Sequence, residues 1–129
     1  MELIDNLLKN ISEDNSYIIK SISSIIINNN INTLEDLKLF QSKKDVINGK
    51  ELSINDKINY AKNIINSFPY DIDRLDYDDV IKYQRYKDII NNSKVEEDII
   101  INLIKIYDLT CREIYFPYEA YKYIIEKRI

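Results

Sequence analysis

The sequence predicts an all-α protein, a single irregular bundle of about six to seven helices in which residues 1–129 form one domain. Three observations lead to this prediction. The length of 129 residues suits one domain with one hydrophobic core. The chain has one glycine and two prolines, fewer turn residues than a β-sandwich or barrel needs. Apolar residues recur at helical spacing, without the fixed period that would indicate a solenoid.

The first three predicted helices combine apolar stripes with polar ends. Residues 2–11 form the first helix, and a second begins near Asp14 or Ser16 and ends at residues 28–30, where asparagines tolerate the left-handed conformation of a helix end. Thr33 with Asp36 resembles a capping box and predicts the start of the third helix. The expected apolar stripes are Leu3, Ile4, Leu7, Leu8 and Ile11, then Ile18, Ile22, Ile25 and Ile26, then Leu34, Leu37 and Phe40.

A loop separates the third helix from the fourth. Residues 42–53 are predicted to be that loop, with Asn48-Gly49 as its turn. Ser53 and Asp56 predict the start of the fourth helix, and a proline follows its end. Its buried side is expected to contain Ile54, Ile58, Ala61, Ile65 and Phe68.

The last three helices have equally clear starts. Asp76 is predicted to cap the fifth helix, Ser93 with Glu96 matches a full capping box for the sixth, and Pro117 suits the first turn of the last. The residues expected to point inward are Val80, Tyr83, Tyr86 and Ile90, then Val95, Ile99, Leu103, Ile106 and Tyr107, then Tyr118, Ala120, Tyr121, Tyr123, Ile124 and Ile125.

The composition argues against enzyme chemistry. The chain lacks histidine, the commonest general base and metal ligand, and its single glycine, Gly49, rules out a glycine-rich phosphate loop. Cys111 is the only cysteine and is expected to be a core or boundary residue. No catalytic residue, resident metal or cofactor is predicted. A lone cysteine, acidic residues near the N-terminus and the absence of a long apolar run favour a cytoplasmic protein without a membrane span.

One acidic stretch is the candidate site. Residues 69–80 contain five acidic residues and one basic residue, whereas residues 81–94 contain one acidic residue and four basic ones. Acids near a helix start are favoured by the helix dipole, but Asp71 and Asp73 precede the helix and only add repulsion. Acids flanked by tyrosines suit a surface that binds a basic protein. The predicted partner-binding residues are Tyr70, Asp71, Asp73, Asp76, Tyr77, Asp78 and Asp79.

Other charged and aromatic residues have alternative interpretations. An EF-hand starting at Asp71 fails at its third ligand and at its glycine, which leaves only an irregular cation site open. A formal charge of −4 disfavours direct nucleic-acid binding. The segment 30–40 resembles the opening of helix-hairpin-helix modules but lacks their glycine-rich hairpin. The C-terminal aromatic residues are expected to be mainly core, with one or two exposed: Tyr115, Phe116, Tyr118, Tyr121 and Tyr123.

In general character the chain resembles immunity proteins of bacterial toxin–immunity pairs, including those of contact-dependent growth inhibition systems. These are small, single-domain, often acidic proteins without catalytic motifs. The resemblance covers general character only, so no family residue is carried over. It implies a protein that is monomeric when free and neutralises a cognate toxin domain, often a nuclease, by blocking its basic active-site surface. The alternative is a phage or viral inhibitor of a host nuclease, defence or cell-death protein.

Overall fold

The structure is a computed structural model in which residues 2–67 and 73–129 are described. They form seven helices and one two-stranded hairpin, which confirms the predicted all-α class. None of these helices combines the length and the apolarity that crossing a bilayer requires. In chain order the elements are α1 (Glu2–Leu8), α2 (Ser16–Asn28), α3 (Leu34–Lys44), β1 (Val46–Ile47), β2 (Lys50–Glu51), α4 (Ile54–Ser67), α5 (Tyr77–Asn92), α6 (Glu96–Thr110) and α7 (Pro117–Ile125).

Helix α6 is the centre of the core. Eight of its fifteen residues are buried, because it packs against α2, α4, α5 and α7 and therefore has neighbours on most of its circumference. Isoleucine dominates this core, and each fully buried isoleucine contributes about 1.5–3 kcal/mol of hydrophobic free energy. The last helix, α7, contacts α1, α2, α3 and α6, so the two ends of the chain are joined in one core.

Local sequence signals place several helix ends correctly. The Thr33 hydroxyl accepts a hydrogen bond from the backbone N–H of Asp36 at 3.1 Å. Ser53 and Asp56 cap each other reciprocally, at 3.1 Å and 3.4 Å. After α2, Asn30 has the left-handed φ of 53° that was expected at the end of the asparagine run.

The prediction that residues 42–53 form only a loop was wrong at its start, where α3 continues to Lys44, and in its middle. Strands β1 and β2 pair antiparallel there, with Val46 opposite Glu51 and Ile47 opposite Lys50. Asn48 and Gly49 both have positive φ, 53° and 79°, which is the backbone of a type I′ turn and fits the right-handed twist of a hairpin. The Asn-Gly turn therefore closes a hairpin. Its two-residue strands are too short to show the alternation of apolar and polar residues by which strands are recognised.

The capping box at Ser93 was also predicted incorrectly. The Ser93 hydroxyl accepts a hydrogen bond from the N–H of Val95 at 3.1 Å, in a local two-residue turn, and α6 begins only at Glu96. Val95 is consequently the N-cap residue and is 54% exposed, although it was expected to be buried. The acidic residues in the first turn of α6 stabilise this helix start through the helix dipole instead.

Besides Val95, three apolar residues predicted to be buried are substantially exposed: Leu8, Ile11 and Ile125. Helix α1 ends at Leu8, so Ile11 no longer belongs to its apolar face. Ile125 is the last residue of α7 and lies at the edge of the core. The predicted position of Phe68 falls outside the described residues.

Candidate partner-binding surface

The acidic stretch is placed at the start of α5. Asp73 belongs to a short 3₁₀ turn, Asp76 is the N-cap residue, and Tyr77, Asp78 and Asp79 form the first turn of the helix. Five of the seven predicted site residues are therefore adjacent on one helix end. The other two, Tyr70 and Asp71, lie outside the described residues.

The aspartate side chains of this stretch lie at the start of α5 but do not cap the helix. Asp76 has the extended backbone of an N-cap (φ −66°, ψ 164°), yet its side chain accepts no capping hydrogen bond. Among the described residues, Asp73 and Asp78 form no salt bridge with a lysine or arginine, and Arg74 forms none with a carboxylate. The helix dipole still favours negative charge at this position. The negative charge remains available to an external cation.

Tyr77 is the most exposed large hydrophobic side chain in the described part of the protein, at 80%. It is not a core residue, and it stands between Asp76 and Asp78. Ile81, four residues later and 43% exposed, lies on the same face of α5. Partly buried Leu75 packs against the hydrophobic core and fixes the turn that precedes the helix. Tyr77 and Ile81 thus expose an aromatic and an aliphatic side chain to solvent beside the aspartates.

A cleft beside the acidic turn adds carboxylates that the sequence analysis did not predict. It has a volume of about 270 Å³ and lies between the start of α2, the start of α5 and the end of α6. Asp79 is half-exposed at its wall. The other charged residues that line the cleft are Glu13, Asp14, Lys82, Lys105 and Asp108. Carboxylates outnumber ammonium groups, so the cleft extends the acidic surface inward.

Asp108 is the structurally important carboxylate of this cleft. Its Oδ1 accepts a hydrogen bond from the N–H of Ile18 at 3.0 Å, and its carboxylate also accepts from the N–H of Tyr17. It thereby caps α2 from another helix, since the N-cap residue of α2, Asn15, makes no capping hydrogen bond with its side chain. Burial raises the pKa of Asp108 to about 6, against the opposing effect of these hydrogen bonds.

Lys82 lines the cleft and pairs with one of its carboxylates. Its Nζ lies 3.2 Å from Oδ1 of Asp14, and this hydrogen bond raises the pKa of Lys82. Both side chains are largely exposed, so the pair contributes little to stability and is easily exchanged for another cation. A lysine or arginine of a partner is the group that this site suits chemically.

The C-terminal aromatic residues are mostly structural, as expected. Phe116, Tyr121 and Tyr123 are buried, and the Tyr121 hydroxyl donates a hydrogen bond to the carbonyl of Leu3 at 3.1 Å. Tyr115 is the exception, being 44% exposed.

Cys111 is exposed rather than a core residue. Cys111 is the C-cap residue of α6 and has a left-handed φ of 54°. Its side chain therefore does not continue the apolar face of the helix.

Neither a metal site in the described residues nor a known relative of the chain is found. In residues 2–67 and 73–129, no group of three or more histidine, cysteine or acidic side chains is arranged to hold a metal ion. Comparison of the chain with protein-family models, curated proteins and solved structures finds no match.

Proposed function

We propose that this protein is an immunity-type inhibitor that binds a basic toxin domain, a nuclease, and covers the surface with which that domain holds nucleic acid. The observation that carries the proposal is the 80% exposure of Tyr77 between carboxylates that form no salt bridge in the described residues. A surface that presents a large aromatic side chain and unpaired negative charge has the composition of a protein-binding site.

The two components of this surface have different roles in binding. The carboxylates attract a basic partner and raise the association rate toward about 10⁸ M⁻¹s⁻¹ at low salt. Tyr77 and Ile81 supply apolar area that becomes buried in the complex and slows dissociation. Side chains with these properties are typical of the few residues that dominate binding free energy.

The cleft extends the interface beyond the acidic turn. A tight complex buries roughly 800 Å² on each partner, which a single helix end does not provide. A lysine or arginine of the partner that enters the cleft replaces Lys82 beside Asp14 and approaches Asp108. The basic residues that it uses are the ones a nuclease uses to hold phosphate, so binding and inhibition follow from the same contacts.

The partner is identified first, by affinity capture from the native host and mass spectrometry, and its activity is assayed with and without the inhibitor. Tyr77→Ala is then compared with the wild type by surface plasmon resonance. Loss of a central anchor costs about 2 kcal/mol or more, which is roughly thirtyfold in the dissociation rate. Ile81→Ala should give a smaller effect in the same direction.

Leu39→Ala is the matched control, because Leu39 is 56% exposed on α3, away from the acidic turn. It should leave the kinetics unchanged. If Tyr77→Ala and Leu39→Ala both bind with wild-type kinetics, the acidic turn is not the interface. A captured partner that is not basic, or whose activity the protein does not reduce, contradicts the inhibitor proposal itself.

A further inference from the structure

A second surface, separate from the acidic turn, has an apolar character. A groove with a volume of about 430 Å³ lies between the hairpin, α4 and the segment before α7. Three of its lining side chains are about half exposed: Ile47 at 55%, Tyr60 at 56% and Tyr115 at 44%. Single exposed apolar residues are ordinary, but several that line one groove are typical of an interaction site.

The charged residues of this groove cancel one another, so the groove has no net charge that would attract an ion. Lys57 and Asp45 form a salt bridge of 2.7 Å, with side chains only 9% and 11% exposed. The remaining charged residues, Lys44 and Asp56, have opposite signs. An uncharged ligand therefore suits the groove better than an anion or a cation.

A buried hydroxyl next to the groove provides the second observation. Tyr115 also lines a smaller cavity of about 120 Å³ with Ile64, Tyr107, Arg112 and Glu113. Tyr107 is 2% exposed, and its hydroxyl has no hydrogen-bond partner among the described residues. Burial raises the pKa of Tyr107, so the hydroxyl keeps its proton and remains a donor. A buried donor without an acceptor is unfavourable, and an incoming acceptor removes that cost.

Tyr115 lines both the groove and the smaller cavity that Tyr107 lines. Its ring centroid lies 6.0 Å from that of Tyr60, edge to face, and 6.0 Å from that of Tyr107. Because the hydroxyl is buried, a side chain has to move before an acceptor reaches it, and Tyr115, the exposed ring shared by the groove and the cavity, is the side chain placed to do so. Exposed side chains change rotamer within nanoseconds, so this movement is rapid.

We propose that this groove binds an extended, uncharged protein segment, which places an apolar side chain against Ile47 and Tyr60 and a peptide carbonyl on the Tyr107 hydroxyl. A neutral acceptor is favoured because Arg112 and Glu113, at the same cavity, have opposite charges. The backbone carbonyl is the strong neutral acceptor that every protein segment carries. This site does not depend on the acidic turn or on the identity of the partner that binds there.

The test uses N-acetyl-L-leucinamide, a neutral probe with one apolar side chain and two peptide groups. The isotope-labelled protein is titrated with the probe, and the NMR resonances of the tyrosine rings and of Ile47 are followed. Saturable shifts should be confined to Tyr60, Tyr107, Tyr115 and Ile47. Tyr107→Phe should weaken binding about three- to tenfold, the typical effect of one hydrogen bond. Tyr107→Phe is expected to fold, since it removes only an unpaired hydroxyl.

Two controls make the result specific. Tyr86→Phe alters a half-buried tyrosine of the acidic cleft and should bind the probe as the wild type does. Acetate, an anion of similar size to the peptide group, should produce no saturable shifts at these residues. The proposal is overturned if the probe does not saturate up to tens of millimolar, if acetate shifts the same resonances, or if Tyr107→Phe binds the probe as tightly as the wild type.

Discussion

Replacing Asp108 with asparagine should stabilise the protein at neutral pH. The carboxyl group has a pKa of about 6 in the folded protein, against 3.8 as its ordinary value, and burial is the main cause. A difference of this size corresponds to about 3 kcal/mol at most, at 1.36 kcal/mol per pKa unit. Asp108 is partly exposed, so solvent screening reduces the expected gain for Asp108→Asn to about 1–2 kcal/mol.

The pH dependence has a definite sign. Above pH 6 Asp108 is charged in both the folded and the unfolded state, and only the folded state has the cost of burying that charge. As the pH falls from about 6 to about 4, the folded protein takes up the proton first, so this group contributes more to stability at the lower pH. The advantage of Asp108→Asn should therefore be largest at pH 7 and vanish below about pH 4.

Urea unfolding at pH 7 and pH 4 measures this difference. Asparagine keeps a side-chain oxygen that can accept the hydrogen bond from Ile18, whereas Asp108→Ala removes the acceptor and should be less stable than Asp108→Asn by about 0.5–2 kcal/mol. If Asp108→Asn is less stable than the wild type at pH 7, the attraction between the carboxylate and the start of α2 outweighs the cost of burial, and the reasoning is wrong.

Three further changes test the fold by the same urea unfolding measurement. Thr33→Ala removes the cap of α3 and should cost about 1 kcal/mol; no loss would mean that the hydrogen bond to Asp36 contributes nothing. Gly49→Ala meets no atom within 4 Å but forces a side chain onto a φ of +79°, and should cost about 1–2 kcal/mol from backbone strain alone. Lys57→Met leaves Asp45 charged and largely buried, and should cost about 3–5 kcal/mol, more than the double change that also replaces Asp45 with Asn.

The helices were predictable because their signals are local. Apolar spacing and short-range capping pairs such as Ser53 with Asp56 involve residues within one turn, so the sequence contains all the information needed. At Ser93 the same pattern failed. The Ser93 hydroxyl can accept a hydrogen bond either from the N–H of Val95 or, in a capping box, from the N–H of Glu96, and it accepts from Val95. Hairpin strands of two residues are too short to produce a periodic signal.

The candidate site was predictable only in part. The acidic turn at the start of α5 is contiguous in sequence, so its excess of aspartates is visible in the residues themselves. Asp108 and Asp14 join it only through the packing of α6 and α2, 29 and 65 residues away from Asp79 in the chain. The one available signal was an aspartate in the last turn of α6, a helix whose buried residues are nearly all apolar. Tyr107 was correctly predicted to be buried, but no sequence pattern reveals that its hydroxyl lacks a partner.

The central claim is that the acidic turn attracts a basic partner, and the salt dependence of the association rate tests it most directly. Asp73, Asp76 and Asp78 are changed together to asparagine, and stopped-flow association with the captured partner is measured from low to high ionic strength. The wild-type rate should fall steeply with salt, while the triple variant should associate more slowly at low salt and respond less to it, so that the two rates converge at high salt. Equal rates and equal salt dependence for a folded triple variant would contradict the account.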